Sequence, residues 1–184
     1  KNLCGAAVAF KLAHALLLAA APLTPDPTAF NTRTETILLP SFLKLVAIAT
    51  LADSVPLTGE NRTLAALGLA ALGQPVQPGL RALMQLAKIP LDRPPTATEV
   101  GFRPAPRINA AGRMASASDI IELFSTSDPG RARAIAAQLD ELNKERRDTE
   151  DGIRQAILEQ CLAQPVTDSD AALVFAGEGW HRGV

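Results

Sequence analysis

Two features of the sequence carry residue types suited to phosphate or metal chemistry, and the first is a single aspartate. Asp53 directly follows the apolar run LVAIATLA, residues 45–52. A carboxylate at the end of a buried element needs a hydrogen-bond partner or a metal ion. Asp is also common as a cap beside a turn. From the residues alone, a cap for the following SVPLTGEN segment and a metal ligand both stay open for Asp53.

The second feature is the segment FRPAPRINAAGRM, residues 102–114, which has three arginines, while no acid occurs from Val100 to Ser118. Its prolines and small residues predict neither a clear helix nor a clear strand. Guanidinium groups bind phosphate oxygens through forked contacts, and the small residues 110–112 would let a sugar-phosphate backbone approach. Asn109 would then hydrogen-bond a phosphate, a sugar or a base edge. A solvated loop whose arginines pair with distant acids is the equally open alternative.

Several classes of site are excluded by what the sequence lacks. The segment GEGWHRG has its third glycine, Gly183, one residue too late for a dinucleotide-binding fingerprint. There is no phosphate-binding loop and no C-x-x-C pair, and the histidines are only His14 and His181. The chain therefore lacks a complete zinc site or Ser-His-Asp triad. A net charge of -1 also excludes a generally basic surface, so a polyanion would need a local patch.

The elements that must position these residues are predicted to be mainly helices. Residues 3–23 predict a buried core helix of a soluble protein, because Lys11 and His14 near its middle oppose a membrane span. Residues 24–36 predict an exposed connection. Further helices are predicted over residues 39–53, 58–73, 79–88 and 116–126.

A long helix is predicted from Pro129 to about Ala163, with an apolar stripe that includes Ile135, Leu139 and Ile157. At 1.5 Å per residue it would be about 50 Å long. A polar gap around Arg146 interrupts the stripe, which suggests a connector that packs on a different domain at each end. Residues 171–177, AALVFAG, then predict a buried strand.

The composition indicates how large a core the chain can bury and in which compartment it is expected. With 184 residues and 47% hydrophobic content it can bury one good core. The two cysteines, Cys4 and Cys161, are far apart in apolar helical contexts, which favours reduced thiols and a cytoplasmic location. Because the sequence begins with Lys1 and ends in a segment that looks unfinished, we expect a piece of a longer protein.

Five ordered blocks together resemble the RecJ family of the DHH phosphoesterase superfamily. The blocks are LCGAAVAFKL, ATLADSVPLTGENR, GFRPAPRINAAGRM, LDELNKERRDTE and GWHRGV. The resemblance covers essentially the whole chain, and the PRINAAGRM block is its most specific part. It implies an α/β parent enzyme, of which this chain is a mostly helical middle part with a long connecting helix and the first strand of a DHHA1-type domain. The implied boundaries are residues 1–127 for the catalytic-domain part, 128–163 for the connector and 164–184 for the DHHA1 part.

The resemblance also implies roles for individual residues. Asp53 matches a family aspartate that binds a metal ion, so it is the expected catalytic metal ligand. Arg107, Asn109 and Arg113 match the block that binds DNA and its terminal phosphate. His181 matches the segment that opens the second domain and is expected to line the cleft. The implied cofactors are two divalent ions, Mn²⁺ or Mg²⁺, whose other ligands, the Asp-His-His motif included, are expected upstream of Lys1.

The implied activity is that of a single-stranded-DNA exonuclease that acts from 5′ to 3′ by two-metal catalysis, in DNA repair and recombination. Its expected partners are single-stranded DNA with a 5′ end, a single-strand-binding protein and a helicase, and no membrane. Because of the missing ligands, the 184-residue chain alone is predicted to be inactive. Two alternatives stay open: a phosphodiesterase for short oligonucleotides or cyclic dinucleotides, and a non-catalytic paralogue that binds nucleic acid or a protein partner.

Overall fold

Helices dominate the architecture. The computed structural model describes residues 2–75, 77–114, 117–163, 167 and 170–181, and for Arg113 and Met114 it describes only the helical backbone. Over these residues it contains α-helices, one short 3-10 turn and one π-helical segment, and no β-strand. The expectation of a mostly helical chain is therefore confirmed. The α-helices are α1 Gly5–Ala20, α2 Pro27–Arg33, α3 Leu39–Ala52, α4 Gly59–Leu72, α5 Pro78–Leu86, α6 Ala97–Phe102, α7 Pro104–Met114, α8 Ala117–Ser125 and α9 Pro129–Ala163.

Two stretches that the sequence predicts as irregular are helical. The predicted connection over residues 24–36 contains α2, where the Asp26 side chain accepts a hydrogen bond of 2.9 Å from the Ala29 backbone N–H. The arginine-rich segment forms α7. Its prolines, Pro104 and Pro106, lie in the first turn, where helical N–H groups have no intrahelical acceptor and proline costs little. A proline therefore predicts a break in a helix only where it lies beyond the first turn.

Close packing of α3 against α4 holds Asp53 in place at the end of α3. A Cβ atom on Gly68 of α4 would collide with the Leu43 carbonyl oxygen and the Ala47 side chain of α3. Only a residue without a side chain lets the two helices approach so closely. Ala47 and Ile48 on the same stretch of α3 are buried. The helix that precedes Asp53 is thus rigidly anchored.

Two hydrophobic clusters meet at α7. The first cluster contains residues of α3, α4, α5, α6 and the start of α7. The second contains residues of α5, α7, α8 and the first half of α9. Ile108 of α7 packs against both clusters. The first contains Ile48, Leu72, Leu80, Met84, Ala87, Ile89, Val100 and Ala105. The second contains Ala82, Leu83, Ala111, Leu123, Ala132, Ile135, Ala136 and Leu139.

Helix α1 forms where the sequence predicts it, but it is not a buried core helix. Ala7 is its one buried residue, and Leu12 and Leu16 are more than half exposed. Segments Gly5–Leu23 and Pro27–Ala52 are long and apolar enough to span a membrane by length and composition, with 11% and 28% of their windows buried. In each segment a lysine contacts the chain elsewhere: Lys11 pairs with Glu60, and Lys44 bonds the Gln74 carbonyl. Such contacts favour packing within the protein.

Helix α9 has the predicted bounds, and its packing ends at the predicted polar gap. Ile135 and Leu139 are buried, and Asn143 is the last buried residue of the described helix. Leu158 and Leu162 beyond the gap are exposed. At 171–177 the structure differs from the predicted buried strand: no described segment pairs with it, and Val174 is 92% exposed. A strand forms only when a neighbouring strand accepts its hydrogen bonds.

Candidate nucleic-acid interface

A cleft of about 370 Å³ lies between the end of α3 and one face of α7. Ala49, Ala52 and Asp53 form the α3 wall, and Asn109 lies on the α7 wall, together with Ala105 and Ile108. The walls are apolar except for one carboxylate and one amide. The structure therefore brings together two residues that are 56 positions apart in sequence and that were predicted to act on the same ligand.

Asp53 is the C-cap residue of α3, and its backbone is extended, with φ −93° and ψ 160°. The Oδ1 atom accepts a hydrogen bond of 2.8 Å from the Ser54 backbone N–H. Asp53 is exposed, and its Oδ2 atom has no protein partner among the described residues. The cap and the metal ligand left open by the sequence are thus compatible: one oxygen caps the turn and the other faces solvent in the cleft.

Helix α7 turns different residues toward the cleft and toward the core. Asn109 and Gly112 are exposed, whereas Ala110 and Ala111 are fully buried. The expectation that both alanines give a sugar-phosphate backbone room to approach is therefore wrong, because their small size serves the packing of α7 in the core. Gly112, three positions after Asn109 and on the same helix face, has open space beside it.

Arg107 is held by an acid on α9. Its Nε donates to Asp140 Oδ1 at 2.7 Å, and one terminal nitrogen donates to the Arg103 carbonyl at 2.7 Å. The Arg107 side chain is 14% exposed. Arg107 is not among the residues that line the cleft. In this arrangement its charge is already compensated, so a phosphate would have to compete with Asp140 for it.

The other two arginines of the segment and His181 are placed as follows. Arg103 donates to the Lys88 carbonyl at 3.0 Å and lies 3.9 Å from Glu99. The backbone of Arg113 lies one turn beyond Asn109 on α7, and the prediction for its side chain falls outside the described part of the chain. His181 is exposed and is not among the residues that line the cleft.

Helix α6, which has a strong N-terminal cap, directly precedes α7 and positions its first turn. Thr96 and Glu99 form a reciprocal capping box at the beginning of α6. Arg93 binds the Glu99 carboxylate through two bonds of 2.7 and 3.0 Å. The Arg93 bonds, followed by the Thr96 backbone N–H, lower the pKa of Glu99 to about 2. Because α6 leads directly into α7, this ionic cap helps to fix the wall that carries Asn109.

The described residues offer a divalent ion one ligand rather than a complete site. No group of three or more His, Cys, Asp or Glu residues that could hold a metal ion occurs among them. Mg²⁺ and related ions take about six oxygen ligands, of which Asp53 could supply one or two. The hard carboxylate would fit as one member of such a centre, and no group of three or more candidate ligands surrounds it among the described residues.

The sequence did not single out Asp140. Asp140 follows Leu139 of the apolar stripe, so it lies at the edge of the buried face of α9. A charge at such an edge is a weak signal, because many surface helices carry one. Its partner could not be named before α7 and α9 were placed side by side.

Comparisons with known proteins agree on one family. No family model matches the chain. The chain is similar to the single-stranded-DNA-specific exonuclease RecJ of Bacillus subtilis (strain 168), with 38% identity over 184 residues, which is 100% of this chain and 21% of that protein. It is also similar to the RecJ of Escherichia coli (strain K12), with 34% identity over 188 residues, 100% of this chain and 32% of that protein. The chain thus spans about a fifth to a third of the length of these relatives.

Solved structures agree with the sequence matches. RecJ from Thermus thermophilus in complex with Mg²⁺ matches 85% of this chain and 24% of that chain, with a TM-score of 0.66 and 33% identity. An exonuclease RecJ bound to manganese matches 85% of this chain and 38% of that chain, with a TM-score of 0.68 and 32% identity. Fold and sequence agree along the same residues, and the chain fits as a segment of a RecJ protein.

Proposed function

We propose that the protein to which this chain belongs is a single-stranded-DNA exonuclease that hydrolyses phosphodiester bonds from the 5′ end and works in DNA repair and recombination. The observation that carries the proposal is the cleft shared by Asp53 and Asn109. Both residues belong to the blocks by which the chain resembles RecJ. The relatives bear the name of single-stranded-DNA-specific exonucleases, which supports the same substrate here.

In this proposal each wall of the cleft has its own task. Asp53 uses its solvent-facing oxygen to hold a divalent ion, Mn²⁺ or Mg²⁺, as suggested by the ions in the related structures. Such an ion polarises a phosphoryl oxygen and lowers the pKa of bound water. Asn109 donates its amide N–H to a phosphate or sugar oxygen of the strand.

The α7 helix extends the binding surface past Asn109. Gly112 leaves the face open, and Arg113, one turn beyond Asn109, is proposed to bind phosphate. His181 is proposed to approach the cleft from the second domain. For Arg107 a phosphate contact remains a prediction, which its ion pair with Asp140 makes costly. The domain boundaries at 128 and 164, the single-strand-binding protein and helicase partners and the cytoplasmic location likewise remain proposals.

The test is nuclease activity of the protein expressed from its complete gene. We expect Asp53→Ala to abolish Mn²⁺-dependent degradation of 5′-phosphorylated single-stranded DNA while the circular dichroism spectrum is retained. Glu35→Gln, which removes another exposed carboxylate that does not line the cleft, is the matched control and should keep full activity. Degradation that starts from the 3′ end would contradict the proposed polarity.

Two outcomes separate the alternatives. Activity confined to very short oligonucleotides or cyclic dinucleotides would favour the phosphodiesterase, and strand binding without any hydrolysis would favour the non-catalytic paralogue. The purified 184-residue chain should be inactive, because its described residues hold no group of three or more candidate metal ligands. Full activity of Asp53→Ala would remove Asp53 from the site.

A further inference from the structure

A second cavity, of about 480 Å³, lies at the opposite end of α3 from Asp53. Its α3 wall includes Ser41 and Lys44, and Lys44 precedes Asp53 by nine residues, about 13 Å along the helix. No residue lines both this cavity and the Asp53 cleft. Its other walls include Ala70, Gln74, Asp92 and Arg93.

Lys44 is the unusual member of this lining, because it is a buried cation on an apolar helix. It is 6% exposed, and its Nζ donates to the Gln74 carbonyl at 3.1 Å. An ammonium group has three N–H donors, and no other acceptor and no carboxylate within 4 Å is present for Nζ among the described residues. Burial lowers the pKa of the Lys44 amine. A buried charge without a counterion is costly, so an anionic partner would stabilise it.

The other charged groups of the lining leave room for such an anion. Arg93 has its guanidinium engaged by Glu99, which does not line the cavity. Asp92 is exposed at the rim. Because Glu99 compensates the charge of Arg93, the lining carries one uncompensated positive charge on Lys44 and one negative charge on Asp92, and the buried charge is the positive one. Ser41, half-buried three positions before Lys44 on the same helix face, adds a hydroxyl donor.

We propose that this cavity binds the phosphate group of a small phosphate monoester, with the Lys44 ammonium and the Ser41 hydroxyl as donors. The volume exceeds what a bare phosphate fills and lies within the range of small-molecule sites. The competing explanation is that Lys44 only caps the carbonyls at the end of α4, since basic side chains commonly do so. That explanation leaves two ammonium donors unused and gives no role to the cavity.

Titration calorimetry on the protein expressed from its complete gene tests the proposal, with inorganic phosphate and thymidine 5′-monophosphate at constant ionic strength. We expect Lys44→Met to weaken phosphate binding by about tenfold or more, which corresponds to the loss of one charged hydrogen bond. Lys144→Met, a change of the same kind at a lysine whose side chain is 67% exposed, is the control and should bind as the unmodified protein does.

A second variant guards against misfolding of Lys44→Met. Ala70→Phe places a ring at an exposed helical position on the cavity wall and leaves Lys44 and its bond to Gln74 in place. It should also abolish binding, whereas a lysine that only caps α4 predicts no effect. Tighter binding of the nucleotide than of phosphate supports a monoester. Phosphate binding that is absent from the unmodified protein, or that survives both substitutions, overturns the proposal.

Discussion

At the scale of single residues, two polar side chains of the same short segment have different surroundings. Asn109 and Arg107 are two positions apart on α7, so they point in different directions around the helix. Asn109 faces the cleft with Asp53, and Arg107 faces Asp140 on α9. Proximity in the sequence therefore does not make them one binding group.

Asn109 should contribute directly to strand binding. We expect Asn109→Ala, in the complete protein, to weaken binding of single-stranded DNA by about tenfold, the size of one hydrogen bond to a charged group. Fluorescence anisotropy with a labelled strand measures the change. Asn31→Ala, at an exposed asparagine on α2, is the matched control and should bind normally. Equal affinity of both variants would place Asn109 outside the interface.

At the scale of elements, two ion pairs hold α7 in position. One is the brace between Arg107 on α7 and Asp140 on α9, and the other is the pair of Arg93 with Glu99 at the start of α6. The bond between Arg107 and Asp140 links α7 to the long helix across 33 residues of sequence, with the arginine largely buried and the acid partly exposed. Such a brace positions Asn109 without touching a ligand.

A double-mutant cycle measures the brace. We expect Arg107→Met and Asp140→Asn each to lower the free energy of unfolding, with a coupling energy of about 1 kcal/mol between them, since the pair is only partly shielded from water. Urea unfolding gives these values. A phosphate contact of Arg107 would reduce the slope of the salt dependence of strand binding by about one in Arg107→Met, whereas a purely structural ion pair predicts little change. A reduced slope without coupling would assign Arg107 to DNA instead.

The cap of α6 should make stability depend on pH in the acidic range. Glu99 has a pKa near 2 in the folded protein against an ordinary value of 4.5, mainly because Arg93 binds the ionised form. A carboxyl with a depressed pKa stabilises the fold above its ordinary pKa, and this stabilisation is lost as the pH falls from about 4.5 toward 2. We expect Glu99→Gln to be less stable than the unmodified protein at pH 7, with the difference shrinking over that range. Urea unfolding at several pH values measures it, and a difference that does not change with pH would contradict the role of the ionised cap.

At the scale of the whole molecule, α9 is packed for its first half and exposed for its second. Leu139 is fully buried among α5, α7 and α8, and Leu162 is 81% exposed. No described residue of α9 after Asn143 is buried. This agrees with the proposed role of α9 as a connector between domains.

Hydrogen exchange should reveal the two halves in the isolated 184-residue chain. We expect amides of residues 129–143 to exchange more slowly than those of residues 150–163, because the second half can open without disturbing the core. Mass spectrometry of peptic peptides measures both segments in one sample, which makes each the control for the other. In the complete protein the second segment should gain protection. Uniform protection along α9 in the isolated chain would contradict this division.

Local sequence pattern was enough to predict the helical class, the bounds of α9 and the resemblance to RecJ. The stripe through Ile135 and Leu139 defines one face of a helix wherever that helix lies, and the PRINAAGRM block is specific as a string of residues. The same locality explains what it predicted wrongly: composition could not distinguish α2 and α7 from loops, nor give residues 171–177 a strand partner.

Which residues share a surface followed from the way the helices pack. This packing placed Asn109 opposite Asp53, gave Arg107 to Asp140 and buried Ala110 and Ala111 in the core. It also left α1 largely exposed, although its composition predicts a core helix. The reason is physical: helical periodicity sets the relative directions of side chains on one element, but their neighbours depend on how separate helices pack, and that is settled by contacts between residues far apart in the chain.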